Sequence, residues 1–431
     1  MSALDSDAAT PQTPTSPSPG RIIAAACVGN ALEWYDIAVY SFFAVYIADE
    51  FFTNDDPTVS LVLALGTFAV SFLIRPLGAL VLGGYADRVG RKPALTLSLA
   101  LMVLGTLLIC VMPSYGTIGV AAPIGILVAR LIQGFAAGGE FGSATAMMVE
   151  HLPGRRGFAA SWQFTSQAMS SLIAAILGTV LTTTLSDDAL HSWGFRIPFL
   201  VGLLVGPAGI YIRRHVPEPP AAAEVLASAA PRTPVRDVLR SHKLAVLLTV
   251  GVLAATTCLN YMITYIPTYS VDTLGLPDST GFIATLVAGV VLLLVTSYAG
   301  HLSDRLGQIR LMGPAATLIL VLIYPMFAFM VGVPALGTLV VVLFFMALFK
   351  GTYFGPMGAL MADLFPTETR ATGMAVGYNV GVAIFGGFTP LIAQALLNWT
   401  GNDASPAFWV MVAAGVSLVS LTVIRRRLGV R

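Results

Sequence analysis

Residues 83–92 read GGYADRVGRK, and a shorter form of the same pattern, GHLSDRLG, recurs at residues 300–307. A second pair of motifs repeats at nearly the same distance, since EHLP at 150–153 is matched by DLFP at 363–366. The two offsets are 217 and 213 residues, close to half of the chain. The repeats therefore predict two halves of the same design, joined end to end.

The amino-acid composition indicates whether these halves fold in water or in a membrane. Of the 431 residues, 56% are hydrophobic and only 10% are charged, and the mean hydropathy is +0.82. An average soluble domain has about 25% charged residues, and no water-soluble fold of this length can bury so much apolar surface. These values exclude a soluble enzyme and a nucleic-acid-binding protein, and they predict a membrane protein whose helices each need about 20 apolar residues.

Apolar stretches separated by charged or Pro/Gly-rich breaks number twelve. They lie at 21–52, 58–85, 93–112, 118–149, 157–184, 194–213, 243–270, 280–303, 309–330, 335–364, 370–398 and 404–424. The predicted fold is an all-α membrane protein with twelve transmembrane helices in two six-helix pseudo-repeats. Paired repeats of this kind are typical of transporters, whose substrate site lies between the halves near the middle of the membrane.

The breaks also predict the domain organisation. The longest one, residues 214–242, holds five prolines and scattered charges, and it is predicted to be a cytoplasmic linker. It would join an N-terminal six-helix bundle at 21–213 to a C-terminal six-helix bundle at 243–424. Residues 1–20 are expected to form a disordered cytoplasmic tail, and residues 425–431 a basic cytoplasmic tail.

The positive charges predict the orientation of the chain. If the N-terminus is cytoplasmic, 19 of the 23 lysines and arginines fall on the cytoplasmic side. Only Arg196 then lies at the outer edge, and the outer loops carry acidic residues instead. We therefore expect both termini to be cytoplasmic.

Several motifs resemble those of a known family. The stretch 83–92 is similar to the signature of the major facilitator superfamily, in the loop between helices 2 and 3 where that family carries it, although Gln308 and Ile309 replace the basic residues in the second copy. A closer resemblance is to the metabolite:proton symporters of that superfamily. It rests on GNALEWYD at 29–36, ARLIQG at 129–134, GGEFG at 138–142, RRGF at 155–158 and WGFRIPF at 193–199.

This resemblance implies the major facilitator fold in a bacterial inner membrane and proton-coupled uptake of citrate, tricarballylate, 2-oxoglutarate, shikimate, or proline and betaine. Three stretches look most like the citrate and tricarballylate branch: 161–167, YIPTY at 265–269, and FGGFTP at 385–390 followed by Thr400 and Gly401. The expected function is proton symport of a small organic anion, a di- or tricarboxylate such as citrate, by alternating access.

Two alternatives keep the fold and change the substrate. One is proton symport of a zwitterionic osmolyte such as proline or betaine. An aromatic cage could then hold the quaternary ammonium, built from Trp34, Tyr35, Tyr40, Trp162 and Tyr261. The other is symport of a monocarboxylate such as shikimate.

Charged residues inside a membrane are costly and need a partner or a task. Glu33 and Asp36 share one helical face with Tyr40, and carboxyl groups in an apolar cavity are suited to load and release protons. With Glu140 they are predicted to couple protons, while a purely structural role stays open. Arg130 offers a planar fork of donors that matches a carboxylate. It is predicted to bind the substrate, or to pair with Glu33 or Asp36 until a proton arrives.

Other polar residues of the central helices are predicted to line a polar cavity, with hydrogen bonding between helices as the alternative for each. Lys350 would be a second cationic contact for a polycarboxylate, or its long side chain would extend to the membrane surface. Arg75, beside Pro76, is expected to tie helix ends together or to line the inner vestibule, and Arg196 is expected to be a structural anchor at the membrane interface. The predicted substrate-binding set is Arg130, Asn30, Tyr40, Gln133, Gln163, Gln167, Asn260, Tyr261, Tyr265, Lys350, Tyr378 and Asn379.

The resemblance also implies a cytoplasmic gating motif, in which Asp87 accepts hydrogen bonds from helix ends. The motif comprises Gly83, Asp87, Arg88, Gly90 and Arg91, with Asp304 and Arg305 in the second copy.

The scattered histidines and cysteines form no metal-ligand pattern, so we expect no metal, no cofactor and no enzymatic activity. The coupling ion is expected to be H+, with Na+ as the alternative. The expected partners are the organic anion, protons and the lipid bilayer, with no nucleic acid, and the protein is expected to be a monomer.

Overall fold

The computed structural model describes residues 19–89, 91–138, 141–203, 206, 238, 240–366 and 369–429, and the regular structure of these residues is helical. The first half contains α1 (Pro19–Phe42), α2 (Ala44–Phe51), α3 (Pro57–Leu73), α4 (Arg75–Val89), α5 (Arg91–Val111), α6 (Tyr115–Ile118), α7 (Ala121–Ala137), α8 (Phe141–His151), α9 (Arg156–Thr184), α10 (Asp187–Ser192) and α11 (Gly194–Leu203), which opens with a 3₁₀ turn.

The second half contains fewer and longer helices. They are α12 (Lys243–Asp272), α13 (Asp278–Leu306), α14 (Gln308–Gly332), α15 (Leu336–Asp363), α16 (Arg370–Val382), α17 (Thr389–Thr400) and α18 (Pro406–Leu428), with a π-helical turn at Ala383–Gly387 between α16 and α17.

The helices confirm the predicted twelve-crossing fold. In the described part of the chain, eight segments are long and apolar enough to cross a membrane, and three shorter apolar helices lie at 96–111, 121–137 and 194–203. With α1 they correspond to the twelve predicted stretches. The second crossing is divided at Ile74, which follows α3 and precedes α4, two residues before Pro76.

Some boundaries differ from the predicted ones. Residues 83–89 of the first motif are the last turns of α4 rather than a loop, and the second motif is helical as far as Leu306. The turn after it is made by Gly307, whose φ of 93° favours glycine. At the C-terminus, the arginines 425–427 lie in the last turn of α18, where cations interact favourably with the helix dipole, rather than in a tail. Residues 1–18 and 207–237, which hold most of the predicted N-terminal tail and linker, lie outside the described residues.

The two halves meet along α9 and α13, where glycines allow close approach. A Cβ atom on Gly300 would lie 2.5 Å from the Ser161 side chain and 2.8 Å from the Gly157 carbonyl oxygen. A Cβ atom on Gly157 would lie 2.2 Å from the Ser303 hydroxyl. Small residues at such contacts are what lets membrane helices pack tightly.

At one end of the bundle, which we call the arginine-rich end, ionic contacts link the halves. Arg156 binds Asp363 at 2.6 Å, and Arg370 binds Glu150 at 3.0 Å. Asp304 of the second motif accepts the backbone N–H groups of Gly157 and Phe158, at 2.7 and 3.1 Å. The resemblance implied such a contact with a helix end for Asp87. The structure shows it for Asp304, the residue that matches Asp87 in the second motif.

The opposite end, which we call the acidic end, is also bridged. Tyr46 donates a hydrogen bond to Asp278 at 2.5 Å, which joins α2 to α13. His191 lies 3.5 Å from Asp49, and its ring packs against that of Tyr46 with centroids 4.8 Å apart. Contacts between the halves therefore occur at both ends and enclose the middle of the bundle.

We expect Gly300→Ala to lower the melting temperature of the purified protein, because overpacking a tight contact costs about 1–3 kcal/mol. Gly313→Ala in α14 is the matched control, since a Cβ atom there meets nothing within 4 Å. Thermal unfolding in detergent would measure both variants. Equal melting temperatures would contradict the tight packing of α9 against α13.

The His191–Asp49 pair should make stability depend on pH. The hydrogen bond to Asp49 is the main cause that raises the pKa of His191 from 6.5 to about 9, and the Asp187 carbonyl and the Asp278 charge also raise it. Because the folded-state pKa is raised, the stabilisation is complete below about pH 6.5 and is lost as the pH rises through about 9. The melting-temperature difference between wild type and His191→Gln should therefore be larger at pH 6 than at pH 10. A difference independent of pH would contradict this.

Candidate functional site

The first feature of the interior is a buried ion pair between α1 and α4. Arg75 lies 3.1 Å from Glu33, and the two side chains are 3% and 10% exposed. The Arg75 guanidinium also lies over the Phe72 ring, 4.5 Å from its centroid. Arg75, expected to tie helix ends together or to line the inner vestibule, is thus the partner of a predicted proton-coupling carboxylate.

The second feature is a chain of hydrogen bonds that joins Asp36 to Arg130. Asp36 accepts hydrogen bonds from Thr106 at 2.5 Å and from the Gln133 amide at 3.3 Å. The same amide nitrogen donates to the Thr106 hydroxyl at 3.0 Å. The carbonyl oxygen of Gln133 accepts a hydrogen bond from Arg130 at 2.6 Å. Helices α1, α5 and α7 are therefore linked through one glutamine.

Arg130 itself is enclosed by aromatic rings. Its guanidinium lies 4.5 Å from the Tyr40 centroid and 5.2 Å from that of Phe68, and it contacts the Ser71 hydroxyl at 3.5 Å. Among the described residues it has no carboxylate within 4.0 Å, and its Nε atom has no hydrogen-bond partner. The expected direct pair with Glu33 or Asp36 is therefore not formed in this structure, because Arg75 takes Glu33 and Gln133 stands between Arg130 and Asp36.

Tyr261 brings α12 of the second half against this cluster. Its ring packs on Trp34, Phe68 and Phe72, with centroids 5.9, 6.0 and 5.5 Å away. Gly386 in the π-helical turn leaves room for this ring, because a Cβ atom there would lie 2.7 Å from the Tyr261 ring. The Tyr261 hydroxyl is buried and without a hydrogen-bond partner in the described part of the chain.

The polar residues at this junction of the two halves are each less than 10% exposed, and we call them the central cluster. The central cluster consists of Glu33, Asp36, Tyr40, Arg75, Thr106, Arg130, Gln133 and Tyr261.

Lys350 and Asn260 form a separate polar pair in the second half. The ammonium donates to the Asn260 carbonyl oxygen at 2.5 Å and lies 5.0 Å from the centroid of Phe354. Lys350 is 2% exposed, so its side chain is directed into the bundle rather than to the membrane surface.

The other predicted binding residues are placed in contacts between helices. Asn30 and Gln163 join α1 to α9, since the Asn30 amide donates to the Gln163 carbonyl at 2.7 Å and the Gln163 amide returns a hydrogen bond at 3.0 Å. Tyr265 donates to Gln394 within the second half. The Gln167 amide is buried, and neither its oxygen nor its nitrogen has a partner that meets hydrogen-bond geometry in the described residues.

Tyr378 and Asn379 lie where the halves touch. The Tyr378 ring stacks on Phe141 with centroids 3.5 Å apart, and the Asn379 amide donates to the Gly138 carbonyl at 2.8 Å. Both residues therefore hold α16 against the first half.

The gating residues are only partly described. Glu140 and Gly90 lie outside the described residues. The backbone of four further motif residues is described, but their side chains or burial are not: Gly83, Asp87, Arg88 and Arg91. Arg305 lines a polar cavity of about 430 Å³ at the arginine-rich end, together with Arg156 and Arg310.

Sequence reasoning missed Thr106, Ser71, Phe68 and Phe72. A threonine, a serine and two phenylalanines in apolar stretches carry no signal that separates them from ordinary packing residues. Arg75 did carry one, since a charge inside an apolar stretch requires a partner.

Together, a twelve-crossing helical bundle and a buried cluster of cations and carboxylates between its halves define a membrane transport protein. The chain belongs to the Major Facilitator Superfamily, whose sequence pattern matches residues 26–330 and 277–429.

The resemblance to metabolite:proton symporters is confirmed by curated relatives. The chain is 35% identical over 420 residues to the citrate-proton symporter of Salmonella typhi, which covers 97% of this chain and 96% of that protein. It is 36% identical to the citrate-proton symporter of Klebsiella pneumoniae, over 93% of this chain and 90% of that protein. It is also 32% identical to the proline/betaine transporter of Escherichia coli K12, over 93% and 82% of the two chains.

The fold is that of solved structures of the superfamily. The proton:xylose symporter XylE superimposes with a TM-score of 0.75 at 15% identity, covering 95% of this chain and 96% of that chain.

We expect Glu33 and Arg75 to stabilise the fold as a unit. Breaking a buried ion pair costs about 3–5 kcal/mol because it leaves one charge uncompensated. Glu33→Leu and Arg75→Leu should each lower the melting temperature strongly, and the double variant should lose much less than the sum of the two. Thermal unfolding of the four proteins gives the coupling, and additive losses would contradict the pair.

Proposed function

We propose that this protein is a proton-coupled symporter that imports a small organic anion, citrate or a related di- or tricarboxylate, by alternating access. The observation that carries the proposal is the buried guanidinium of Arg130, which has no carboxylate within 4.0 Å among the described residues. A cation at the junction of the halves that has no direct carboxylate partner among the described residues is suited to bind an anion. The citrate-proton symporters at 35–36% identity support citrate as that anion.

The substrate would replace Gln133 as the partner of Arg130. A carboxylate is a stronger acceptor than an amide carbonyl and can engage two donors of the fork at once. The Nε of Arg130 and the hydroxyl of Tyr261, which have no hydrogen-bond partner among the residues that the structure describes, would supply further donors beside it. Both residues belonged to the predicted binding set.

The proton would act through Asp36. As a carboxylate, Asp36 accepts from both Thr106 and Gln133. Protonation removes the negative charge that attracts the Gln133 amide and so frees Gln133 to leave Arg130. Proton loading at Asp36 and anion binding at Arg130 would thus favour each other through one side chain. Glu33, held by Arg75, is the second proton-coupling candidate.

The bundle would expose this cluster to each side in turn. The N-terminal bundle at 21–213 would rock against the C-terminal bundle at 243–424, as is general for this architecture. The arginine-rich end would face the cytoplasm, as the positive-inside rule requires, with both termini on that side of a bacterial inner membrane. The protein would work as a monomer, without a cofactor or enzymatic activity, and with H+ rather than Na+ as the coupling ion.

Osmolyte transport is the second candidate, since relatives include proline/betaine transporters. Trp34 and Tyr261 do face each other, with centroids 5.9 Å apart. The rest of the proposed aromatic cage is not assembled, because the Tyr40 ring faces Arg130 and the Tyr35 hydroxyl donates to the Pro198 carbonyl. Trp162 packs on Phe158 instead. A dicarboxylate or tricarboxylate fits the cluster better.

We expect Arg130→Ala to abolish citrate uptake in cells, because the main countercharge of the substrate is lost. Arg427→Ala in the exposed last turn of α18 is the control and should leave uptake unchanged. Uptake of radiolabelled citrate would be measured with and without a protonophore, at equal amounts of protein in the membrane.

The same assay separates the candidate substrates by competition with tricarballylate, 2-oxoglutarate, shikimate and betaine. Protonophore-sensitive uptake blocked by tricarboxylates supports the proposal. Normal uptake by Arg130→Ala, or uptake of betaine in place of citrate, would overturn it.

A further inference from the structure

Lys350 places a second positive charge inside the bundle, in the middle of α15. Its ammonium has three hydrogen-bond donors, and one of them is used by the carbonyl oxygen of Asn260 at 2.5 Å. Within the described residues, no carboxylate lies within 4.0 Å of it. The charge is therefore compensated only by a neutral amide and by the face of Phe354 at 5.0 Å.

Such a lysine is costly if it serves only the fold. A cation inside a membrane protein needs a partner or a task, and a pair of apolar residues would fill the same space more favourably. In this structure the Asn260 side-chain carbonyl accepts a hydrogen bond from Lys350. An oxygen of a substrate carboxylate could take the same position on the ammonium.

Two ring contacts, one step along α12 and one hydrogen bond lead from Arg130 to Lys350. Arg130 lies 5.2 Å from the Phe68 centroid, and Phe68 packs against Tyr261 at 6.0 Å. Tyr261 follows Asn260 directly in α12, and Asn260 binds Lys350. The two cations therefore lie on opposite halves, on either side of the ring contact between Tyr261 and Phe68, which a substrate that reaches both cations would displace.

We propose that Lys350 is a substrate-binding residue that selects polycarboxylates, and that Asn260 holds its ammonium in place while substrate is absent. This inference rests on the proposed function. A substrate with two separated carboxylates would bind Arg130 with one and Lys350 with the other, and so connect the two halves. A monocarboxylate or a zwitterion satisfies one cation only and leaves the other uncompensated.

The test compares Lys350→Met with Lys350→Arg in proteoliposomes under an imposed pH gradient. Loss of one charge-assisted contact should raise the KM for citrate and tricarballylate about tenfold or more, with a smaller effect on the maximal rate. Lys350→Arg should restore part of the affinity. Tricarballylate should inhibit citrate uptake by Lys350→Met more weakly than uptake by wild type. A monocarboxylate should inhibit the two proteins more nearly equally.

Tyr353→Phe is the matched control. Tyr353 is buried on the same helix, and its hydroxyl donates to the Val252 carbonyl of α12 at 2.8 Å. Its removal therefore disturbs the same pair of helices without changing a charge, and the KM for citrate should stay as in wild type. If Lys350→Met fails to fold, the double variant Lys350→Met with Asn260→Leu replaces the whole polar pair by apolar side chains and gives the same comparison.

Wild-type KM values and an unchanged competition profile in Lys350→Met would overturn the inference and leave the proposed function intact. A fall in maximal rate alone, equal for all substrates, would also overturn it, because that pattern reports a structural role. If wild-type protein takes up no di- or tricarboxylate at all, the proposed function fails first, and the role of Lys350 fails with it.

Discussion

The guanidinium of Arg130 is kept in the apolar interior with a neutral amide as its closest partner, and the arrangement around it depends on that constraint. Gln133 accepts from Arg130 and donates to Asp36, so the cation and the carboxylate are linked without touching. Tyr40 and Phe68 provide ring faces that compensate part of the charge. In the proposed function, an anion that enters this site would form an ion pair with Arg130.

The division of charges explains why two arginines and two carboxylates coexist in a small volume. Arg75 and Glu33 neutralise each other directly, and that pair can hold α1 and α4 together whether or not substrate is bound. Asp36 and Arg130 are held apart and remain available to a proton and an anion. The first pair serves stability and the second serves the proposed chemistry.

The contacts between the two halves are also of two kinds, polar at the ends of the bundle and close-packed along α9 and α13. At the two ends they are ion pairs and hydrogen bonds, such as Arg156 with Asp363 and Tyr46 with Asp278, which water can replace when one end opens. Along α9 and α13 they are close contacts at glycines, which need no particular polar partner. Rocking of the two halves about such a seam would break polar contacts at one end at a time.

The fold could be predicted from the sequence because each crossing is a long apolar stretch and the motif at 83–92 is repeated once. Glu33, Asp36 and Arg130 could be placed in the interior because a charge in an apolar stretch is rare. Their partners could not be predicted, since pairing depends on how each helix is rotated against its neighbours, which hydropathy does not report. For that reason the pairing of Arg75 with Glu33 was not predicted.

The same limit applies to Tyr265, for which substrate binding and hydrogen bonding between helices were both open, and which donates to Gln394 within the second half. A tyrosine in an apolar helix has the same sequence signal whether it faces a cavity or a neighbouring helix. Thr106 is the opposite case, since nothing in its surroundings in the sequence points to Asp36.

The central claim is that an anion and a proton cross together through one site. The direct measurement is the pH outside proteoliposomes of known orientation when citrate is added without any imposed gradient. The account predicts that the external solution becomes more alkaline as citrate enters, that a protonophore abolishes this change, and that Asp36→Asn does not produce it. Citrate entry with no proton movement in the wild-type protein would contradict the account.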